Sequence, residues 1–510
     1  MKRIFLLLVA AALVLVGVLG ISQERGGVAV IGYGGNYVAD PDPHKASNMG
    51  EHSMALLMAE PLVSFDEAGA FLPVLARSWE VSPDGKVYTF HLREGVLFHS
   101  GRPLTAQAVK QNIDRIRNPE NALPAAGHVA NVEEVVPVDD LTVEVRLSKP
   151  DPDFPGKLEF VYITDPEAWA DRGPDDPVPG TGPFRLVGEE YERDRQMGFE
   201  KFSDYWGGEP YLDRIVVRLV PSPETAVVEL ERGSVDFLLL GVFSATEARR
   251  LEAEGYPLYV WGFVNAVDVV FNLATLDDLA LRRAICYAID HQVLIDAVLG
   301  GFGELQRNLG FPGTWLEETE VVAPCCDPEK AKEILDAAGY VDTDGDGIRE
   351  KDGKDIVLRF RAPDSGDWLR GSQLIQQMLL EVGIGSELLL SERHMFYDQV
   401  RTGDYDIAWW FQNSFPTPPI LLYSWDSRDY WSIHQVELPE LQALIEAAEA
   451  EIDQGKRAEL YRNLQRIFDE NAYAALGIWV KQIYVGSPSL HGVKVTPEGQ
   501  LFGAHEWWKG

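Results

Sequence analysis

The 510-residue chain is 46% hydrophobic and carries 80 acidic against 45 basic side chains, a formal net charge of −35 at pH 7. That length permits two large domains or three smaller ones, and the surplus of negative charge argues against nucleic acid or an anionic membrane surface as a partner. The cysteines, Cys286, Cys325 and Cys326, are odd in number and exclude a complete intrachain disulfide framework.

Residues 1–22 read as a signal peptide or membrane anchor. Lys2 and Arg3 precede an apolar run from Ile4 to Leu19, and Val18-Leu19-Gly20 offers a cleavage point. An uncleaved anchor is the alternative, because the run approaches spanning length. Gly32-Tyr33-Gly34-Gly35-Asn36-Tyr37 is glycine-rich, but Tyr37 stands where a dinucleotide loop needs its third glycine. The expectation is a first strand that ends in a loop. His44, Asn48, Met49, Glu51, His52, Met54 and Met58 follow. They suit either a soft-ligand metal site or, as the blander reading, a helix whose methionines are core.

From Val28 to about Gly262 the pattern is mainly strands. Ser82-Pro83-Asp84-Gly85 reads as a tight turn. Val87 to Leu92 then alternates, with Tyr88, Phe90 and Leu92 on one face. Thr105 stands at a helix N-cap position before Ala108, Val109, Ile113 and Ile116. Leu141–Leu147 and Ile215–Val220 read as strands, Thr225–Leu230 as a helix closing at Gly233, and Pro150 to Pro183 as a loop-rich passage.

From about Phe263 to Val480 helices and strands alternate. The spacing predicts a single helix over Leu279–Leu299, ended by Gly300-Gly301, with Cys286 on its apolar face. Asp327-Pro328 opens another helix that Gly339 ends. Ile356–Phe360 reads as a strand, Gln373–Val382 as a helix, and Ile407–Phe411 as a buried strand that sends Trp409 and Phe411 to one face and Trp410 and Gln412 to the other. Two helices, around Leu441–Ala448 and Leu460–Phe468, complete the series. This alternation implies an α/β region. Asp342, Asp344 and Asp346 resemble the front of a Ca²⁺ loop, yet the twelfth position is Gly353 rather than Glu. A weak Ca²⁺ site and a polar hairpin turn are both open; no other cofactor is expected. Cys325-Cys326 is read as local sequence, with a strained vicinal disulfide or a soft-metal site as alternatives. No GxSxG, HExxH or P-loop signature occurs.

The run from Ala59 to Val109, AEPLVSFDEAGAFLPVLARSWEVSPDGKVYTFHLREGVLFHSGRPLTAQAV, resembles family 5 of the extracellular solute-binding proteins. So do Pro179-Gly180-Thr181-Gly182-Pro183-Phe184, Tyr205-Trp206 with the following Gly-Gly-Glu-Pro, Gly233-Ser234-Val235-Asp236, LRRAICYAID from Leu281 to Asp290, and Asp327 to Gly339. The resemblance spans essentially the whole mature chain. Members of that family deliver peptides, nickel chelates and some sugars to ABC importers.

The fold so implied is α/β, a two-lobe periplasmic-binding-protein type II fold with an extra subdomain in the first lobe. Lobe I is expected over 27–262 with the subdomain near 62–180, lobe II over 263–480, and a return to lobe I over 481–510. The crossings are placed near Trp261-Gly262-Phe263 and Trp479-Val480-Lys481. Implied ligand contacts are Tyr33, Asn48, Glu51 and His52 on one side. On the other they are Trp409, Trp410, Gln412, Asn413, Tyr423 and Trp425. Replacing Trp410 by Ala is expected to weaken binding. One departure matters: peptide-binding members carry an Asp after the Trp410 strand, and nickel-chelate binders a His. Here Asn413 to Pro419 holds neither. An amine left dry and unpaired is costly, so neutral ligands such as oligosaccharides gain ground. The expected role is extracytoplasmic capture of a peptide or peptide-like ligand by a monomer, for hand-over to an ABC permease, without nucleic acid and without catalysis. An oligosaccharide or metal chelate is the alternative ligand, and an extracytoplasmic hydrolase the alternative of another class.

Overall fold

The computed structural model describes residues 24–35, 37–66, 68–170, 172–239, 244–317, 326–364, 366–413, 424–428, 432–494, 501 and 503–510. Residues 1–22, Cys325, Ser414 to Tyr423 and Trp431 fall outside these residues. Among those described, no helix is long and apolar enough to cross a membrane.

Eleven strands among the described residues form one mixed sheet. Its far end is Gly385–Ser391, followed by Val357–Pro363 and Ile407–Asn413. Two long strands, Leu258–Phe271 and Ala474–Gly486, run antiparallel through the middle. Phe237–Leu239, Val28–Tyr33, Arg214–Leu219, Gln196–Lys201 and Phe184–Leu186 continue to the other end, and Gly303–Leu305 adds to the Ala474–Gly486 strand. A separate four-stranded sheet takes Ala76–Val81, Val87–Leu92, Thr142–Leu147 and Val132–Asp139.

The buried side chains sort with these sheets. One cluster joins the four-stranded sheet to helix Ala106–Arg117 through Phe90, Val109, Ile113 and Val145. A second joins Ile31, Met54, Phe199, Tyr484 and Trp507, drawn from both ends of the chain. A third and a fourth lie on the two faces of the Ile407–Asn413 region, with Trp409 and Phe411 in one and Trp410 in the other. Strand alternation is the reason, as successive side chains leave a strand on opposite faces.

Local devices match the composition. Gly85 closes the Ser82 turn at φ +67 and donates its N–H to the Ser82 carbonyl at 2.8 Å. Thr105 accepts from the Ala108 N–H at 3.2 Å. The helix expected over Leu279–Leu299 is instead two helices, Leu279–Ala288 and His291–Val298. Ile289 adopts an extended conformation, φ −87 and ψ 120, and the Asp290 carboxylate accepts from the N–H groups of Gln292 and Val293. A side-chain cap in mid-run restarts the helix in a new direction while the apolar spacing continues. The helix expected from Gln373 begins earlier and spans Gly366–Glu381.

The expected crossing residues lie in the two long strands, opposite one another. Trp261 pairs with Gln482, Phe263 with Lys481 and Asn265 with Val480, and the register shifts between each successive pair. Such irregularities bend and twist a ribbon locally.

Candidate functional site

The strand Val28–Tyr33 delivers Tyr33 to the N-terminus of helix Met49–Met58. Asn48 caps that helix, its Oδ1 accepting from the Glu51 N–H at 3.1 Å. Glu51 reaches back, its Oε2 accepting from the Ser47 N–H at 2.8 Å and the Ser47 hydroxyl at 3.0 Å. This is a reciprocal cap shifted by one residue. Tyr33 donates to Asn48 Oδ1 at 3.5 Å. Burial, with Glu51 nearby, pushes the Tyr33 hydroxyl up to about 12. Two glycines make room for its ring: a Cβ on Gly35 would lie 2.3 Å from it, and one on Gly50 2.4 Å from its hydroxyl oxygen. Tyr33, Asn48 and Glu51 thus form one cluster.

His52, on the same helix, faces elsewhere. Its Nδ1 lies 3.0 Å from the Tyr162 hydroxyl and its ring 4.7 Å from that of Phe160. Burial first, then His128, pulls its pKa down to about 3. A ring kept neutral against aromatic neighbours is a core histidine. His44 is similar: Arg115 donates to its Nδ1 at 2.8 Å, so its Nε2 donates to the Tyr162 carbonyl at 2.8 Å. Met54 and Met58 are buried core, as the blander reading has it.

The aromatic residues of the second group are also buried. Trp409 meets the ring of Trp368 edge-on at 5.2 Å, and a Cβ on Gly371 would lie 1.9 Å from it. Trp410, 3% exposed, donates its Nε1–H to the Ser424 hydroxyl at 3.1 Å and meets Tyr397 edge-on at 5.2 Å. Trp425 packs on Phe468 at 4.8 Å. These three rings fill the two cores flanking the strand. Gln412 and Asn413 pair through the backbone with Ala266 and Asn265. Tyr423 lies outside the described residues.

Several groups escaped the sequence reading. Glu60 is buried, takes hydrogen bonds from Tyr205 at 2.6 Å and the Trp206 indole at 2.8 Å, and is raised to about 7 by burial. Its signal was present, since Glu60 and Tyr205-Trp206 belong to two of the quoted motifs. Asp268, also raised to about 7 by burial, accepts the Gly477 N–H at 3.0 Å. A lone acid in an apolar strand was its only trace. Arg393 lies over the Phe411 ring at 4.6 Å.

The Ca²⁺-loop expectation changes its members. Asp342, Asp344 and Glu350 bring carboxylate oxygens within 4.8 Å of one another, with Glu350 in place of Asp346. The Asp342 oxygens already accept the N–H groups of Gly345 and Gly347, and the Glu350 oxygens the N–H and hydroxyl of Thr343. Both the turn and a weak site remain compatible with this arrangement. Cys286 is buried as expected, and burial pushes its thiol up to about 12.

Comparison with known proteins adds the following. The family described as bacterial extracellular solute-binding proteins, family 5 Middle, matches residues 70–432. The dipeptide-binding protein of Escherichia coli is 28% identical over 440 residues, covering 79% of this chain and 80% of its own. The nickel-binding periplasmic protein of the same organism is 27% identical over 473 residues, covering 86% and 87%. The crystal structure of NikA from Brucella suis in complex with Fe(III)-EDTA superposes with a TM-score of 0.83 at 25% identity, covering 94% of this chain and all of that one.

Proposed function

This chain belongs to family 5 of the bacterial extracellular solute-binding proteins, and from that premise we propose that it captures an extracytoplasmic solute between two lobes and delivers it to an ABC permease. The family match over residues 70–432 carries the reading. The paired strands Leu258–Phe271 and Ala474–Gly486 supply a mechanism, because register shifts at Trp261/Phe263 and Phe263/Asn265 leave a pliable two-stranded crossing about which lobes can close.

The work is capture, not catalysis. The matched family consists of solute-binding proteins, which supports that reading. A peptide or peptide-like ligand is the leading class, since a relative 28% identical is a dipeptide-binding protein. A metal chelate is the second reading, favoured by the nickel-binding relative and by the Fe(III)-EDTA complex of a structural neighbour. Residues 1–22, read as a signal peptide or membrane anchor, support capture outside the cytoplasm.

Mass spectrometry of whatever the purified protein releases on denaturation tests the ligand. A ladder of short peptides is expected. A hexose oligomer or a chelate would overturn the peptide class and leave the importer role standing. If nothing is carried, thermal-shift screening follows, where ligand at a thousandfold excess over Kd adds about 4 kcal/mol.

A further inference from the structure

Away from the crossing strands, the two halves of the chain meet a second time. Asp153 sits just ahead of Phe154–Lys157, beside the four-stranded sheet. Arg457 lies in the first turns of helix Gln454–Glu470, 304 residues away. Arg457 Nη1 donates to Asp153 Oδ1 at 2.8 Å, and Nη2 donates to Oδ2. Only 5% of the Arg457 side chain and 8% of that of Asp153 are exposed. The guanidinium is held from its own side by the Ala448 carbonyl, which accepts from Nε at 2.9 Å, and lies over the rings of Trp315 and Tyr461. The contact continues around the pair. Ile452 packs on the Ser82–Gly85 turn so closely that a Cβ on Gly85 would lie 2.6 Å from Ile452 Cδ1. Lys149 Nζ stands 3.8 Å from Glu449 Oε2.

We propose that the Asp153–Arg457 pair is an interlobe latch, made when the lobes close and broken when they open; this rests on the hinged two-lobe reading above. Rotation about the crossing strands separates residues 448–461 from residues 82–88 and 149–154, so the pair cannot survive it. A buried ion pair contributes little net stability, because desolvation offsets much of the attraction. Its effect lies in selectivity among geometries. Fully closed, both charges are dry and satisfied; fully open, both are hydrated. A half-closed arrangement leaves dry charges out of register and is disfavoured. The latch therefore makes closure a two-state event.

The test uses the whole mature chain with Cys325 and Cys326 replaced by Ser, carrying Lys149→Cys and Glu449→Cys to be bridged across the interface by a short bismaleimide, because side chains as long as Lys and Glu meeting at their tips hold their Cα atoms farther apart than a disulfide spans. Cross-linking rate and the radius of gyration from X-ray scattering are measured, with circular dichroism to verify folding. Arg457→Met and Asp153→Asn should each slow cross-linking at least tenfold and enlarge the particle, because closure would bury the surviving charge alone. The double variant Asp153→Asn with Arg457→Met buries no lone charge, so it should fold and recover part of the rate. Single variants that cross-link at the parent rate, or a double variant slower than either single, would overturn the latch. The lobe reading fails separately. If cross-linked and uncross-linked protein scatter identically in every variant, there is no opening to latch. If scattering changes on cross-linking while the singles react at the parent rate, only the latch is lost.

Discussion

Trp410 illustrates how a residue's neighbours decide what its replacement means. On the resemblance alone its ring is a ligand platform, and its loss would weaken binding. In the fold the ring is buried, meets Tyr397 edge-on and donates to Ser424. Trp410→Ala is therefore expected to cost about 3–5 kcal/mol of folding stability, read as a lowered midpoint in urea. Trp410→Phe keeps most of the volume and separates the two roles. A well-folded Phe variant with undiminished affinity for the released ligand would leave Trp410 as core alone. The Tyr33, Asn48 and Glu51 cluster differs, because its polar atoms meet where strand Val28–Tyr33 ends and a helix begins. The sequence showed a glycine-rich loop followed by a possible helix; the cap by Asn48 came only with the structure. That the Tyr33 ring fills the room left by Gly35 and Gly50 could not be read from the chain.

At the scale of elements, hydrophobic periodicity was sufficient for some strands, while the short helices Ala245–Ala253 and Arg393–Arg401 went unread. Val87–Leu92 and Ile407–Asn413 alternate as their patterns require. It failed at Leu279–Leu299, where two helices in succession preserve one apolar spacing. The break depends on Asp290, which caps the second helix through the Gln292 and Val293 N–H groups. Asp290→Ala should destabilise the protein by about 0.5–2 kcal/mol, and Asp290→Asn by less, since Asn is an equally good cap. Denaturant midpoints of the two variants check this. Equal losses would mean that the charge, rather than the cap, holds the break.

At the scale of the molecule, burial sets the response to acid. Seven described histidines, His44, His52, His99, His128, His291, His434 and His505, are all lowered from their ordinary value, burial being the first cause of each. Each favours the neutral ring in the fold, so the unfolded chain binds more protons as pH falls below 6.5, and stability is lost. Three buried acids act in the opposite sense: Glu60 and Asp268, raised to about 7, and Asp469, raised to about 6. They hold protons in the fold that the unfolded chain has released, so acid relieves them. Seven groups against three give a net loss from pH 6.5 downward. Below about pH 4 His44, His99, His128 and His291 take up protons in the fold as well and their share of the loss ends, while carboxylates held low by partners, such as Asp42 with Arg115 and Asp426 with Arg428, begin to protonate and carry the loss on. A thermal midpoint that stays flat between pH 6.5 and 4 would contradict this balance.

The sequence by itself determined most of the helices and the family, but not the two long central strands Leu258–Phe271 and Ala474–Gly486. Turns, caps and apolar spacing are set by neighbours a few residues apart, and the motifs are contiguous. It also placed Glu60 and Tyr205-Trp206 in separate motifs, though not against each other. Only the tertiary structure decided which aromatic rings became core, that Glu350 rather than Asp346 joins Asp342 and Asp344, and that Asp153 meets Arg457. The physical reason is common to all three. Each depends on which surfaces, far apart along the chain, are pressed together and cut off from water. No local pattern of residues carries that information, because the exclusion of water is a property of the assembled fold.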